Sequence, residues 1–315
     1  MPILDFVIVD VFTQNKYEGN PLAIVKIPKS SPLSQDEKQA IAREFNLSET
    51  AFVHEHGPEG HHYEWTVDIF MTNKELPFAG HPTIGTACHV LSEIAKSHES
   101  KDIIEAKFKI KAGKIDLRYI VAEKVVKAAI PHNVHIHKNH YGRESLLSIQ
   151  TGLAKAGRSG IHGLKEQSDV VSVVRGMTFV VVQLEDEEAL KAVSTTATVV
   201  EFDGLDEGWG PSFVGLYFFV RLGESEDGTV MLRTRMIEGP LEDPATGSAA
   251  SALAGYLSLK EGKPGQALKY AMTQGVEMGR RSNIGVEVVM AESDGIDTIN
   301  LVGGAVQVME GRLVV

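Results

Sequence analysis

Two apolar rhythms alternate along the chain. Residues 3–12, Ile-Leu-Asp-Phe-Val-Ile-Val-Asp-Val-Phe, are rich in β-branched and aromatic types and predict a strand. The triplet Gly19, Asn20, Pro21 is a break, and 22–27 predicts the next strand. Across 33–46 the spacing becomes helical, with Ser34 as cap and Ile41, Ala42 and Phe45 on one face. Extended segments are expected at 51–54, 64–71, 103–109 and 114–121, with one helix, about 83–97, among them. The second half predicts strands at 125–130, 170–174, 179–183, 214–221 and 229–236, with helices at 144–156, 187–193 and 245–259. Late strands are expected at 276–281, 285–290, 298–302 and 305–310. The 245–259 helix begins with Ala, Gly and Ser on most sides, which suits a helix surrounded by strands. Strands dominate without the regular strand-helix alternation of a doubly wound sheet.

One stretch recurs. Residues 75–87, Glu-Leu-Pro-Phe-Ala-Gly-His-Pro-Thr-Ile-Gly-Thr-Ala, share their heart with 243–249, Asp-Pro-Ala-Thr-Gly-Ser-Ala, and both read x-Pro-x-x-Gly-(Thr/Ser)-Ala. His81 precedes the proline in the first copy and Asp243 in the second; 243 − 81 is 162 positions, about half the chain, which suggests two halves on one plan. Each copy is expected to open a helix. Pro82 and Pro244 suit a first turn, where the N–H they lack would be unpaired anyway. Asp243 is then a good N-cap, and His81 an odd one. The small residues that follow leave the first-turn N–H groups open to approach, and such a start attracts anions through its donors and a dipole worth roughly half a charge. Two of them facing each other would make a cleft for a small carboxylate.

Composition narrows the classes. A chain of 315 residues exceeds the roughly 100–200 of one ordinary domain, so two are expected. A net charge of −11 argues against a general nucleic-acid or anionic-membrane surface, and no run of 18 apolar residues exists. With no basic amino-terminal region leading into an apolar stretch, a cytoplasmic location is expected. Cys88 is the single cysteine, which excludes an intrachain disulfide, a cysteine zinc site and a racemase built on two opposed thiols. It falls among Ile84, Ala87, Leu91 and Ile94 at helical spacing and reads as a core residue. No dinucleotide, Walker or Gly-x-Ser-x-Gly motif is present. His132, His135, His137 and His140, and the pair His61 and His62, match no zinc spacing and read as solvated loop, with no metal expected. The acidic run 185–188 reads as a helix start.

Four motifs in order, Asp10-Val-Phe-Thr13 with Gly19-Asn-Pro-Leu22, Leu47-Ser-Glu-Thr50, Phe78-Ala-Gly-His-Pro-Thr-Ile-Gly85 and Glu242-Asp-Pro-Ala-Thr-Gly-Ser248, resemble the PhzF-like (phenazine biosynthesis protein-like) family. The match runs from near residue 5 to the end, with little correspondence between about 130 and 210. The resemblance implies the diaminopimelate epimerase-like α+β fold: two pseudo-symmetric lobes, each a curved, mostly antiparallel sheet or barrel around a central helix. The expected lobes are 1–122, completed by a carboxy-terminal strand at about 303–315, and 123–302. It also implies a cofactor-independent isomerase, commonly a homodimer, acting on a small anionic metabolite between the lobes.

The same resemblance makes Glu49 the proton-transferring acid/base, in place of the solvated carboxylate that its sequence setting alone suggests. Burial would have to raise its pKa for that task. His81 and Asp243 would bond the substrate's polar groups and assist the shifting proton, against the alternatives of a backbone-bonded histidine and a simple helix cap. Gly80, Thr83, Gly247 and Ser248 would bind a substrate carboxylate, and Asn20 would stand beside the cleft, although a turn asparagine before proline needs no such role. Two other readings of the same fold remain: a non-catalytic ligand- or protein-binding member, and an amino-acid racemase or epimerase, which would need a second base opposite Glu49.

Overall fold

A computed structural model describes residues 3–55, 63–99, 102–156 and 164–315; His61 and His62 lie outside these. The chain divides into two compact units, residues 1–130 with 300–315 and residues 131–299.

The first unit is built on strands β1 (Ile3–Val11), β2 (Asn20–Ile27), β3 (Thr50–His54), β4 (Tyr63–Phe70), β5 (Glu75–Leu76), β6 (Ile103–Ile110), β7 (Gly113–Ile120) and β8 (Val125–Ala129). Pairing runs β1–β2, β2–β3, β3–β4, β4–β6, β6–β7 and β7–β8, with β2–β3 and β4–β6 parallel. The final strand of the chain (Ile296–Val314) pairs with β8 through residues 300–304 and with β1 through 305–314, which closes an eight-stranded barrel. Residues 125–129, expected in the second half, therefore belong to the first, because both of their neighbours are there.

Helix α1 (Gln35–Phe45) crosses from β2 to β3, and α2 (Gly80–Ser97) from β4 to β6. A complete capping box, Ser34 with Glu37, starts α1, and Asn46 in the left-handed conformation (φ 51°) ends it. Its Ile41 and Ala42 cover the outside of the barrel over Leu4, Val25, Ile27, Phe52 and Phe70. In contrast, α2 is buried on every side from Gly80 to Leu91 and packs on β1, β2, β3, β7 and β8, so it fills the barrel. Gly85 permits that close fit, since a Cβ there would stand 2.5 Å from Val11 Cγ2 and 2.8 Å from Leu22 Cδ2.

The second unit repeats this wiring. After β9 (His135–Ile136) and β10 (Tyr141–Gly142) come helices α3 (Arg143–Ile149) and α4 (Thr151–Lys155), then β11 (Gln167–Val174), β12 (Met177–Gln183), α5 (Glu187–Lys191), β13 (Phe213–Glu224), β14 (Val230–Glu238) and β15 (Leu241–Asp243). Helix α6 (Gly247–Glu261), β16 (Ala267–Gln274), β17 (Ser282–Met290) and the start of β18 (Ile296–Val314) complete it. As β2–α1–β3 and β4–α2–β6 form parallel crossovers in the first unit, β12–α5–β13 and β14–α6–β16 do here. Buried along Ala249–Ser258, α6 packs on β11, β12, β16 and β17, as its small residues require. Asp186 caps α5 by accepting from Ala189 N at 2.8 Å, so the acidic run is a helix start.

Four further expectations need correction. The helix at 144–156 breaks at Gln150, which is fully buried and exchanges two hydrogen bonds with the Ser194 backbone. Residues 276–281 are no strand: 276–279 form a turn flanked by Gly275 and ending on Gly279, both at positive φ, while the strand lies earlier, at Ala267–Gln274. The two strands expected around Gly303 and Gly304 are one continuous strand, because the missing side chain at 303 makes room for the Phe12 ring. The histidine segment is not uniformly solvated. His137 is buried, and its Nδ1 accepts from Asp206 N at 3.1 Å. Beyond its Nε2, Ser172, Thr178 and Ser212 form a hydroxyl chain that ends on the Phe213 carbonyl. Because that carbonyl can only accept, every proton along the chain is assigned, and the His137 proton sits on Nε2. With both nitrogens engaged, His137 is a structural histidine, while His135 stacks on Trp209 and pairs with Asp206 at 2.7 Å.

Candidate functional site

The two copies of the repeat do not fold identically. Helix α2 is capped by Ala79 (φ −149°), so His81 is its second residue and Pro82 its third. Helix α6 begins at Gly247 behind Thr246, so Asp243 is no N-cap: it is the last residue of β15, paired with Met236 of β14. In the second copy Thr246, three residues on, bonds back to Asp243, where the first copy has the apolar Ile84.

In the first unit the fold brings Glu49 and His81 together. The α1 cap at Asn46 turns the chain into Leu47, Ser48 and Glu49 just before β3, and Glu49 Oε2 lies 3.6 Å from His81 Nδ1. Their side chains are only 16% and 6% exposed. Burial pushes the Glu49 carboxyl above its ordinary value of 4.5, opposed by a smaller contribution from a Ser48 hydrogen bond. Gly80 precedes His81 in the first turn of α2. Thr83 closes that turn, with its N–H and its hydroxyl both donating to Ala79 O, at 3.3 and 2.8 Å, so it presents neither donor to a ligand. Asn20 is buried as the first residue of β2, and the parallel register Ala23 to Thr50 sets it at the same strand end as Glu49.

In the second unit Asp243, Gly247 and the half-buried Ser248 share one short connection. Residues on either side that the sequence reading passed over hold it. Arg235 forks onto Glu242 at 2.8 and 2.7 Å and donates to the carbonyls of Leu190 and Val193 behind α5, which pins β15 immediately before Asp243. Thr246 Oγ1 donates to Asp243 Oδ2 at 2.5 Å. Gln274 stands against the same connection from β16; a polar residue at an inward position of an alternating strand, followed by glycine, was the available signal.

The model of the family described as phenazine biosynthesis-like protein matches residues 9–311. The chain belongs to this family. It is 29% identical to the trans-2,3-dihydro-3-hydroxyanthranilate isomerase of Pseudomonas aeruginosa, over 98% of each chain. It is also 28% identical to an uncharacterized isomerase of Mesorhizobium japonicum, over 99% of each. Among solved structures, the Bacillus anthracis phenazine biosynthesis protein of the PhzF family matches over 100% of both chains with a TM-score of 0.76 at 21% identity. A hydroxyproline epimerase from Agrobacterium vitis matches over 99% of this chain and 92% of its own, with a TM-score of 0.57 at 13% identity, a likeness of fold alone. Given relatives named as isomerases along its whole length, this phenazine biosynthesis-like protein is an isomerase. Among its described residues no helix is long and apolar enough to cross a membrane.

Proposed function

We propose that the protein is a cofactor-independent isomerase that moves a proton on a small carboxylate-bearing metabolite, with Glu49 as acid/base. The observation that supports this reading best is the Glu49–His81 pair: a carboxyl kept above its ordinary pKa by burial, with an imidazole 3.6 Å away. A base with a raised pKa returns its proton as readily as it takes one. The carboxylate removes a proton from one carbon of a conjugated substrate, the electron pair shifts along the double bond, and the same carboxyl delivers the proton to the far carbon. No bond order is lost and no oxidant is needed. His81, at the start of α2, stabilises the charge that develops as the proton leaves. Asp243 is proposed to bond the substrate's polar groups, and the α6 start at Gly247 and Ser248 to hold a carboxylate. Cytoplasmic location and a homodimer are proposed with it.

The only thiol supports no second base. Cys88 is buried, donates to Gly303 O at 3.5 Å and is pushed by burial up to about 12, so an amino-acid racemase reading finds no thiolate here. The test is solvent exchange. With trans-2,3-dihydro-3-hydroxyanthranilate as probe in deuterium oxide, the wild-type chain is expected to place deuterium in the product. Glu49→Gln, folded and still binding the probe, is expected to lose the exchange by about 10²-fold or more. Exchange at an unchanged rate in that variant overturns the assignment.

A further inference from the structure

Gln274, the last residue of β16, is fully buried and every polar atom of its amide is engaged. Its Nε2 donates to the Asp243 carbonyl at 2.8 Å and to Thr246 Oγ1 at 3.1 Å. Its Oε1 lies 3.1 Å from the Tyr217 hydroxyl and 3.4 Å from the Thr234 hydroxyl, both able to donate. Chemistry fixes this orientation, because a backbone carbonyl only accepts and the atom facing Asp243 O must be the NH2. A consequence follows one bond further on. Thr246 Oγ1 receives a proton from Gln274, so its own hydrogen points to Asp243 Oδ2, 2.5 Å away. Tyr217 keeps its proton to anchor the far side, since burial raises its hydroxyl well above the ordinary range.

Gly275 adds an independent contact. At φ +73° it runs so close to the connection that a Cβ would stand 2.6 Å from Pro244 O and 2.4 Å from Arg280 O. The end of β16 thus touches the turn behind Asp243 with backbone as well as side chain. In the first repeat the histidine at the equivalent position lies 3.6 Å from the carboxylate of Glu49, which comes from outside the motif.

We propose that Gln274, acting through Thr246, is the positioning residue that holds the Asp243 carboxylate in one orientation with a hydrogen bond given to its Oδ2. Its importance for turnover rests on the role proposed for Asp243 at the substrate; the clamp itself does not. Aspartate-selective 13C labelling reports on the clamp directly, with the Asp243 carboxyl signal identified by its loss in Asp243→Asn. Removing a donor to the ionised form, in Thr246→Val or Gln274→Leu, is expected to move its titration midpoint up by about one unit, and Thr246→Ser to leave it in place. With the dihydro-hydroxyanthranilate probe, Thr246→Val is expected to lower kcat about tenfold or more at nearly constant KM, with Thr246→Ser restoring it. An unmoved midpoint in folded Thr246→Val overturns the clamp, and that variant decides the matter if Gln274→Leu does not fold. A moved midpoint with kcat unchanged overturns the positioning role. A wild-type chain that ignores the probe counts against the proposed substrate class, and the titration then decides the clamp alone.

Discussion

Glu49 Oε2 stands 3.6 Å from His81 Nδ1, joining the turn after α1 to the first turn of α2. The acid/base reading sets a cost in stability against activity. In the unfolded chain Glu49 loses its proton near the ordinary 4.5, whereas the folded chain keeps it to a higher pH. Below the unfolded value the two states are alike. Between that value and the raised one, stability falls as pH rises, and above both the penalty is constant. Glu49→Gln is therefore expected to raise the melting temperature by a few degrees at about pH 8 and by nothing at about pH 3.5. Calorimetry at both pH values checks this; a variant that melts below wild type at the higher pH contradicts it.

Cys88 is expected to be inert. Buried in α2, and with its thiol pushed up to about 12, it should resist an aromatic disulfide reagent at pH 8 in the native protein and react stoichiometrically in denaturant. Rapid native labelling would return a thiol to the list of possible bases.

His137 carries a different titration signature. Burial, and then the neighbouring His135, hold its pKa below the ordinary 6.5, outweighing the attraction of Asp206. The unfolded histidine takes up its proton first as pH falls, so this group's contribution is intact above about pH 6.5 and is lost below it. Long-range 15N NMR is expected to show a neutral ring protonated on Nε2 at pH 7, with a midpoint under 6.5. A proton on Nδ1 would contradict the hydroxyl chain traced from Phe213.

Gly85→Ala sets helix propensity against space. Alanine improves a helix interior by about 1 kcal/mol, but here its methyl enters the Val11 and Leu22 side chains. Overpacking costs about 1–3 kcal/mol and is expected to win, lowering the urea midpoint without changing the slope.

The strands of the first barrel were legible because most are apolar on one face at least, and α1 was legible because Ser34, Glu37 and Asn46 mark its ends. The filled centre of the second unit's sheet was legible in the small residues of α6. The strand 267–274 was not, since Gln274 puts a polar side chain at an inward position and is satisfied only by partners distant in sequence. The same holds for the site. Motif residues stood out by their repetition, whereas Arg235 and Gln274, which hold the motif from β14 and β16, are marked only as polar residues at buried strand positions. The His81–Glu49 approach depends on a β2–α1–β3 crossover that no spacing within either motif encodes.

β18 is nineteen residues long, and its second half closes the barrel begun by β1. During synthesis the half of the protein that holds Glu49 and His81 emerges first yet must wait for nearly the whole chain before its last seam can be sewn. The intervening unit, contiguous in sequence, is free to fold in the meantime. Until the seam closes, β1 and β8 keep open edges, and α2, which carries the buried His81, has no complete wall around it.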